Sequence, residues 1–424
     1  MSLFAALNSA VSGLKSQSAA LAAVSQNIAN ASTTAYKTTG VSFESLVTGG
    51  SSSSAKATGS VTTKVYQNMT QQGQISNTST GTNIAIDGNG FFVVSDALNN
   101  NSAGYNYSRN GEFTTDGNGY LINSEGYYLM GLKTDDNGNV LATNSNDINA
   151  LEPIDVTSIS GSAKATSEVT FDINLPADAA VGDTFDTSFE YFDSLGVAHT
   201  IEQTWKKTAS NAWEMDLANP HATDGTTDTG TISPSTVNIT FDGDGNLASY
   251  SANSFTITGL TTGASDGNVS FDLGTVGRTD GLTQFSSNSS DPEIEITLID
   301  ADGVRYGQLS SIEIDDTGLV SATFDNGLRQ NIYQIPIATF ANPGGLTHIN
   351  GTVYDENQSA GNYNLRLPGE GNAGTVVAGA LELSMTDTSE EFNKMIVAQQ
   401  AYSSAAQVIS TTSSMFDTLI NAVR

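Results

Sequence analysis

The 424-residue sequence contains no cysteine and only three histidines. The lack of cysteine excludes disulfides, thiolate metal sites and a cysteine nucleophile. A chain of this length without cysteine is also more typical of an extracellular protein than of a cytoplasmic enzyme. His199, His221 and His348 are too far apart in sequence to form a helical pair of metal ligands. The sequence therefore predicts no metal site and no cofactor.

Positive charge is scarce, because 15 Lys and Arg residues stand against 45 Asp and Glu residues, for a formal net charge of −30. Nucleic acid and anionic membrane surfaces are poor partners for such a chain. No apolar run reaches the roughly 18 residues of a spanning helix. The N-terminus lacks the basic and densely apolar regions of a secretory signal. We therefore expect no nucleic-acid partner, no membrane insertion and no cleaved signal peptide.

Both ends of the chain carry a helical pattern in which mainly apolar residues recur at alternating intervals of three and four. This spacing is typical of a coiled-coil seam rather than of the wider stripe of a globular helix. We predict that the seam residues also form an assembly interface. They are Phe4, Leu7, Val11, Leu14, Leu21, Ile28, Phe392, Met395, Tyr402, Ile409, Phe416 and Ile420.

The opposite faces of these predicted helices consist mainly of Ser, Gln, Asn and Ala. A solvated helix face is usually rich in Lys and Glu, whereas small neutral residues suit close packing against further chains. The alternative is that both helices belong to the core of one globular domain. Asp387 or Thr388 is predicted to cap the second helix, with Glu390 or Glu391 completing a capping box.

The middle of the chain, about residues 75 to 366, alternates short β-like runs with Asp-Gly and Asn-Gly pairs suited to hairpin turns. Helical periodicity is essentially missing there, so we predict antiparallel all-β structure. Pro153 and the region 279–282 are plausible domain seams. A linker is predicted before this zone, with the Gly/Ser-rich stretch 49–60 as its flexible centre.

Two aspartate-rich loops, beginning at Asp135 and Asp242, start like calcium-binding EF-hand loops. Each lacks Gly at the sixth loop position and has Asn146 or Asn253 in place of Glu at the twelfth. Both loops also lie between predicted strands rather than helices. Hairpin turns are therefore the favoured interpretation.

Two glycine motifs match enzyme patterns in letters only. The run GASDG at 263–267 matches a nucleophile elbow, but the following NVSFDLG predicts a strand where that motif needs a helix. The run GEGNAG at 369–374 matches a dinucleotide fingerprint without a surrounding βαβ unit, and we interpret it as a flexible joint. Distant carboxylates could still meet as a glycosidase pair, but no catalytic residue is predicted.

Five segments in this order resemble the flagellar rod–hook family of axial proteins. They are NIANASTTAYK near the N-terminus, IDGNGFFVV (residues 86–94), YSRNGEFTTDGNGYLINSEGYYLMG (107–131), FANPGGL (340–346) and the C-terminal ALELSMTDTSEEFNKMIVAQQAYSSAAQVISTTSSMFDTLINAVR. The middle, with YFDSLGVAHTIEQTWKK and ITFDGDGNLAS, resembles the hook branch of this family. The rod proteins are shorter because they lack this insert.

The resemblance implies a fold that is mainly β with α-helical termini. The terminal helices would form a coiled-coil inner domain that lines a tube, followed outward by two antiparallel all-β domains. The implied domains are a helical one (1–30 plus 385–424), a linker (31–74 plus 367–384), an inner β-domain (75–150 plus 281–366) and an inserted outer β-domain (151–280). One departure concerns Ala35, which precedes Tyr36 where the family usually has Gly. A Cβ at this position argues against a left-handed turn.

The resemblance also implies a function as structural subunit of the hook, a curved flexible tube that transmits torque from rod to filament. The implied partners are further copies of itself, a rod protein at the proximal end, a hook-cap protein during assembly, a hook–filament junction protein at the distal end and the flagellar type III export apparatus. The expected location is the extracellular flagellum. The alternatives are a distal-rod-like axial protein and a secreted β-rich enzyme.

Overall fold

The computed structural model describes residues 3–46, 60–98, 104–144, 146–157, 161–223, 225, 227–287 and 291–422. Nearly all of the predicted flexible centre of the linker, residues 49–60, lies outside these residues. The chain divides into two compact units. Unit 1 comprises Met1–Ser158, Ile312–Ala322 and Gln330–Arg424, and unit 2 comprises Ile159–Ser311 and Thr323–Arg329.

Two long helices, α1 (Leu3–Ala29) and α2 (Thr388–Ala422), lie at the two ends of the chain, as predicted. They pack antiparallel, since Phe4 contacts Phe416 and Asn27 contacts Glu391. Asp387 caps α2 by accepting hydrogen bonds from the backbone N–H groups of Ser389 and Glu390. Within the described residues, no helix is long and apolar enough to cross a membrane.

The strands are numbered in chain order. The first ten are β1 (Thr39–Leu46), β2 (Ser60–Gln67), β3 (Ile75–Asn77), β4 (Ile84–Asp87), β5 (Phe91–Ser95), β6 (Tyr105–Ser108), β7 (Phe113–Thr115), β8 (Leu121–Asn123), β9 (Tyr128–Lys133) and β10 (Glu152–Pro153). The next ten are β11 (Gly161–Lys164), β12 (Glu168–Asn174), β13 (Thr184–Phe192), β14 (Ala198–Ala209), β15 (Ala212–Leu217), β16 (Thr231–Ser233), β17 (Thr236–Phe241), β18 (Leu247–Tyr250), β19 (Ser254–Thr258) and β20 (Gly267–Asp272). The last are β21 (Glu295–Ala301), β22 (Val304–Ile314), β23 (Leu319–Phe324), β24 (Arg329–Gln334), β25 (Ile337–Thr339), β26 (Thr347–Asn350), β27 (Val353–Asp355), β28 (Asn364–Arg366), β29 (Thr375–Ala378) and β30 (Ala380–Glu382).

A two-stranded antiparallel ribbon of β1 and β2 occupies part of the segment predicted as linker. The ribbon packs on α1, and Ser12 Oγ accepts a hydrogen bond of 3.1 Å from the backbone N–H of Val61. Residues 39–46 and 60–67 are therefore ordered structure that covers a second side of α1. These two strands are hard to predict from the sequence because Thr, Ser and Lys are mixed with their apolar residues.

The β-structure of unit 1 is built on the order β24-β9-β5-β6-β27-β26, and β25 pairs with β5. Two further pairs, β4 with β29 and β3 with β30, join the early part of the chain to the segment before α2. Its core clusters aromatic residues, with Tyr107 and Phe340 ring centroids 4.7 Å apart. These long-range pairings make residues 375–382 part of the β-structure rather than linker.

Unit 2 contains two five-stranded sheets, β16-β19-β20-β12-β21 and β13-β14-β15-β17-β18. Their inner faces share one core in which the ring centroids of Phe171 and Trp205 lie 6.2 Å apart. All pairings in these two sheets are antiparallel except that of β12 with β20, which is parallel. This one pair is a local departure from the predicted antiparallel pattern.

Unit 2 extends past residue 280, where the sequence analysis ended the inserted domain. Leu282 is fully buried in its core, and Thr283 exchanges backbone hydrogen bonds of 3.0 and 2.8 Å with Ile173 and Leu175. Farther along, β21 pairs with β12 over most of its length. Residues 281–301 therefore complete the sandwich of unit 2 instead of belonging to the inner β-domain.

Candidate assembly surface

The face of α2 that packs on α1 is offset from the predicted seam. The less exposed positions of α2 are Glu391, Met395, Ala398, Ala401, Ala405, Ile409, Thr412 and Phe416. Met395, Ile409 and Phe416 agree with the prediction, but Phe392 is 53% exposed and Tyr402 is also exposed. The reason is physical: small alanines let the two helices approach closely, so the larger residues lie outside the contact. At these two positions the contact within the chain differs from the predicted seam, and the assembly interface of the whole set stays a prediction.

The predicted interface residues therefore fall into two groups. Those that are partly buried are Leu7, Leu14, Leu21, Ile28, Met395, Ile409 and Phe416. Those that are exposed are Phe4, Val11, Phe392, Tyr402 and Ile420. The first group lies in or beside the contacts that α1 and α2 make within the chain. The second group is available to other molecules, although Phe4 also touches Phe416 with ring centroids 5.4 Å apart.

A set of large apolar side chains on α2 is exposed along the whole helix. It consists of Phe392, Ile396, Val397, Val408, Met415, Leu419 and Ile420. We call this set the α2 apolar set. Large exposed apolar residues in this number are unusual on a helix of a soluble chain and are typical of interaction sites. The described part of α2 thus offers apolar contact area that α1 does not use.

Asn27 holds the end of α1 against the start of α2. Its Nδ2 group donates 3.0 Å hydrogen bonds to the backbone oxygen of Thr39 and to Glu391 Oε2. Its Oδ1 atom accepts from the backbone N–H of Thr39 at 2.8 Å and from the Tyr36 hydroxyl at 3.1 Å. Lys394 Nζ completes the group with a 2.8 Å ion pair to Glu391. Because this buried amide uses its full hydrogen-bonding capacity, it fixes the crossing of the two helices at this end.

A second buried polar group ties the segment after α1 to the β-structure of unit 1. Lys37 Nζ lies 2.6 Å from Glu382 Oε1 and donates to the backbone oxygen of Gln71. Arg109 Nη1 lies 3.6 Å from Glu382 Oε2, and its Nη2 donates to the backbone oxygen of Gly88. All three charged side chains are almost completely buried. We call this group the Glu382 junction.

Electrostatics in the Glu382 junction follow from two cations that share one carboxylate. Burial lowers the pKa of Lys37, although the nearby Glu382 carboxylate opposes the shift. Burial likewise lowers the pKa of Arg109. Because a buried charge is costly without its partner, the junction depends on Glu382 arriving from the far end of the chain.

Ala35 adopts a φ of 57°, which corrects the expectation that its Cβ would exclude a left-handed turn. The residue is fully buried, and its backbone N–H donates a 2.7 Å hydrogen bond to the backbone oxygen of Glu382. A non-glycine residue in this conformation costs about 1–2 kcal/mol and persists only where the surroundings enforce it. The turn directs the chain from α1 into the Glu382 junction.

A cavity of about 570 Å³ lies between α1, the β1–β2 ribbon and the first turns of α2. Its walls include Val24, Phe43, Tyr66 and Val397, with Asn27 among the polar groups. This concave surface adjoins the α2 apolar set through Val397. The walls of this cavity are mainly apolar.

The two aspartate-rich loops are hairpin turns, as predicted. Asp242 Oδ1 accepts hydrogen bonds of 2.9 Å from the backbone N–H groups of Asp244 and Asn246. Asp135 Oδ1 accepts one of 2.7 Å from the backbone N–H of Asn139. Side-chain hydrogen bonds from Asn139 and Asn246, together with these backbone hydrogen bonds, hold the pKa values of Asp135 and Asp242 below the usual range. The strand expected after the GASDG run is also present, as β20.

A histidine, an aspartate and a threonine meet in unit 2 in an order that invites comparison with a catalytic triad. His199 Nδ1 lies 2.7 Å from Thr229 Oγ1, and His199 Nε2 lies 3.2 Å from Asp193 Oδ2. All three side chains are buried, and Thr229 also donates to the backbone oxygen of Pro220. A nucleophile needs access to substrate, so this arrangement serves to hold the loops of the sandwich together.

Four family models match successive parts of the chain. Their descriptions are Flagella basal body rod protein (residues 7–37), Flagellar hook protein FlgE/F/G D1 domain (85–183), Flagellar basal body protein FlaE D2 domain (160–303) and Flagellar basal body rod FlgEFG protein C-terminal (377–422). The first and last of these ranges include most of α1 and α2. The third falls within unit 2 and, like the strand pairing, continues past residue 280.

Full-length relatives decide the family. The flagellar hook protein of Brucella suis is 32% identical over 432 residues, which cover 100% of this chain and 100% of the relative. That of Escherichia coli is 31% identical and covers 98% of this chain and 99% of its own. The chain belongs to the flagellar hook protein family. A solved structure of the Helicobacter pylori hook protein FlgE2 is similar over 72% of this chain and 100% of its own, with a TM-score of 0.49 and 14% identity.

This member of the hook family is accordingly a structural subunit of the bacterial flagellar hook, with helical ends and a mainly β body. Sequence reasoning identified both helices but missed Asn27, Glu382 and Glu391 as the residues that hold them in place. One signal was available: Lys15 and Lys37 are the only charged residues before Glu44. A lone lysine after a neutral helix indicates a specific partner. The partner itself lies 345 residues away and carries no local signal.

Proposed function

We propose that this subunit polymerises through α1 and α2 into a curved, flexible tube that transmits torque from rod to filament. The observation that carries the proposal is the α2 apolar set, which leaves Phe392, Met415 and Ile420 exposed on a helix held at one end by Asn27. Such a surface gains stability when further copies cover it. Held at a defined angle, the helix pair offers each new copy the same surface.

The distribution of charge supports a buried helical layer and a solvated β body. Residues 1–36 carry a net charge of +1 and residues 392–424 carry +1, so the remaining residues must carry −32 to give the total of −30. A tube that buried this negative charge among its copies would repel itself. Carried on outward β-domains, the same charge keeps a long polymer soluble.

The proposal extends to the neighbours of the tube. A rod protein would contact the first copies, a hook-cap protein would guide addition of new ones, and a junction protein would follow the last. The chain would leave the cell through the type III export apparatus, and α1 and α2 would fold into place at the growing end. The Glu382 junction suits this order, because Lys37 and Arg109 meet their carboxylate only when the C-terminal segment has emerged.

Two charge-introducing substitutions test the proposal. Leu14→Asp and Ile409→Asp each place a carboxylate in the partly buried helix contact, where it has no partner, so polymer formation should stop. Both tryptophans, Trp205 and Trp213, lie in unit 2, so the unfolding midpoint followed by tryptophan fluorescence should not move. Sedimentation measures the polymer.

Matched controls make this experiment specific. Ile409→Leu keeps the apolar volume and should polymerise normally. Val181→Asp adds the same charge at an exposed site in unit 2 and should also polymerise. Normal polymer yield from both Leu14→Asp and Ile409→Asp would overturn the proposal that these helices build the tube.

A distal-rod-like axial protein is the second candidate. Two family models with rod in their descriptions match residues 7–37 and 377–422, and the second description also includes FlgE, so the terminal helices alone do not separate hook from rod. Fibre stiffness separates the two candidates. A hook subunit should give curved, bendable tubes in electron micrographs, whereas a rod-like subunit should give straight, stiff ones.

A further inference from the structure

Two charged side chains stand alone on the helices. Lys15 is the single charged residue of α1, and Asp417 is the last charged residue in the described part of α2. Neither has an ion-pair partner among the described residues. The other charges of α2, Glu390, Glu391 and Lys394, form ion pairs with one another at its start. Between residues 395 and 416, α2 carries no charge at all.

Lys15 and Asp417 cannot meet within one chain. Phe4 lies opposite Phe416 and Asn27 lies opposite Glu391, so Lys15 lies opposite about residue 404 of its own α2. Asp417 is about 13 residues farther along that helix, which is about 20 Å at 1.5 Å per residue. Both side chains are exposed, so each is free to contact a second molecule.

We propose that Lys15 of one copy forms an ion pair with Asp417 of the neighbouring copy, and that this pair sets the register between them. The inference rests on the proposed self-polymerisation through α1 and α2. Copies in a tube point the same way along its axis, and each contact joins two different patches. The α1 helix of one copy therefore meets α2 of the next in the antiparallel sense already present within each chain.

The antiparallel alignment also matches the apolar residues beside the two charges. When Lys15 lies opposite Asp417, Val11 lies opposite about residue 421, one turn farther along α2. Ile420 is next to that position, and Val11 and Ile420 are 39% and 60% exposed in the single chain. One alignment thus joins the two lone charges and covers an exposed apolar residue on each helix. It also displaces neighbouring copies by about 20 Å along the helix axis.

The physical effect of such a pair is mainly on register. In a nearly neutral helical layer, an unpaired charge taken out of water is costly, and a like-charge contact is worse. A slip of one helical turn would separate Lys15 from Asp417 and leave both charges buried alone. Registers that leave these two charges unpaired are therefore disfavoured. The small neutral residues on the rest of these faces distinguish little between one register and another.

Charge reversal with rescue tests the pair. Lys15→Glu and Asp417→Lys should each raise the protein concentration needed for polymerisation by about tenfold, because each creates a like-charge contact. The double variant Lys15→Glu/Asp417→Lys should restore assembly to within about twofold of the wild type. Lys15→Arg, which keeps the charge, should assemble normally.

Cysteine cross-linking provides a geometric readout in a chain that contains no cysteine. Under oxidation, polymers of Lys15→Cys/Asp417→Cys should give a ladder of covalent multimers, whereas each single variant should not. An intrachain disulfide is excluded because bonded cysteines need Cα atoms within about 7 Å. Ser25→Cys/Asp417→Cys, which moves one cysteine ten residues along the exposed face of α1, is the matched control and should give no ladder.

The outcomes separate this inference from the proposed function. If wild-type chains polymerise but the double reversal fails to rescue, or if Lys15→Glu alone has no effect, the ion pair is wrong and self-polymerisation stands. An absence of ladders in well-formed polymers of Lys15→Cys/Asp417→Cys would also overturn it. If wild-type chains do not polymerise under any condition, the proposed function itself has failed.

Discussion

Unit 2 and the terminal helices bury apolar surface in opposite ways. Unit 2 encloses Trp205, Trp213 and Phe171 in a single core shared by its two sheets. The α2 helix instead uses small residues such as Ala398 for its contact with α1 and leaves Phe392 and Ile420 in solvent. A region that buries its large side chains by itself is stable alone, whereas a region that exposes them is completed by other copies.

The polar contacts of the two regions also differ, in how far apart along the chain the bonded residues lie. Those of unit 2 join neighbouring strands and loops, as His199 does with Asp193 and Thr229. Those at the base of the helices join parts of the chain more than 340 residues apart, as Asn27 does with Glu391 and Lys37 with Glu382. The helical end therefore depends on a few long-range bonds, and each of them should have a large effect when it is removed.

The largest effect is expected in the core of unit 2. Trp205→Ala should lower the free energy of unfolding of this unit by about 3–5 kcal/mol, because it leaves a cavity beside Phe171. Urea unfolding followed by the fluorescence of Trp213 measures the loss. Val181→Ala, at an exposed position in the same unit, should change stability by less than about 0.5 kcal/mol. Similar losses from both variants would contradict the assigned core.

The Glu382 junction should come next. Glu382→Gln leaves Lys37 and Arg109 buried without an anion and should destabilise unit 1 by about 3 kcal/mol. Hydrogen exchange of the amides in β3 and β30 should become faster, while the tryptophan fluorescence transition of unit 2 stays in place. Glu112→Gln, which removes an exposed carboxylate, is the control. A shift in the unit 2 transition without faster exchange in β3 and β30 would contradict the assignment of this junction to unit 1.

Low pH should reduce the stability of unit 2, because the carboxylate of Asp302 becomes protonated. Burial alone would raise the pKa of this carboxyl, but hydrogen bonds from Ser167 and Glu168 and the ion pair with Lys164 outweigh it and lower the pKa to about 2. Because the folded-state value lies below the unfolded value of 3.8, the stabilisation is complete above about pH 4 and is lost as the pH falls towards 2.

The size of this acid effect is about 2 kcal/mol, since one pKa unit corresponds to about 1.4 kcal/mol. Urea unfolding of unit 2 at pH 6 and pH 2.5 measures it. Asp302→Asn should be less stable at pH 6 and should lose less between the two pH values. An equal loss in the variant and the wild type would remove Asp302 as the cause.

The smallest effect on the single chain is expected on the α2 apolar set. Ile420→Ser should change the stability of the monomer by less than about 0.5 kcal/mol, because the side chain is mostly in water. The same substitution should raise the concentration needed for polymerisation. A monomer strongly destabilised by Ile420→Ser would show that this residue already packs within the chain.

Sequence reasoning predicted the element types well because periodicity is a local property. The 3-4 spacing identified α1 and α2, and Asp-Gly pairs identified turns such as that at Asp242. It misplaced the contact face of α2 because Ala398 and Ala405 carry little hydrophobic signal, although both are among the less exposed residues of this helix. The pattern of large residues instead marked Phe392 and Tyr402, which are exposed in the single chain.

What could not be predicted depends on contacts between distant segments. The sequence analysis placed the end of the inserted domain at residue 280. In the structure, Leu282 lies in the core of unit 2 and Thr283 takes part in its backbone pairing. Nothing near Asn27 in the sequence indicates that its amide reaches Glu391. Ala35 likewise adopts a left-handed conformation because Glu382 binds its backbone N–H, which no local preference predicts.

Hydrogen exchange of α1 and α2 in the monomer and in the polymer tests the central claim most directly. If neighbouring copies complete the helical layer, the amides of both helices should exchange rapidly in the monomer, while those of β14 in unit 2 exchange slowly. In the polymer, the helical amides should become strongly protected and those of β14 should change little. Helices that are as protected as β14 in the monomer, with no gain on polymerisation, would contradict the claim.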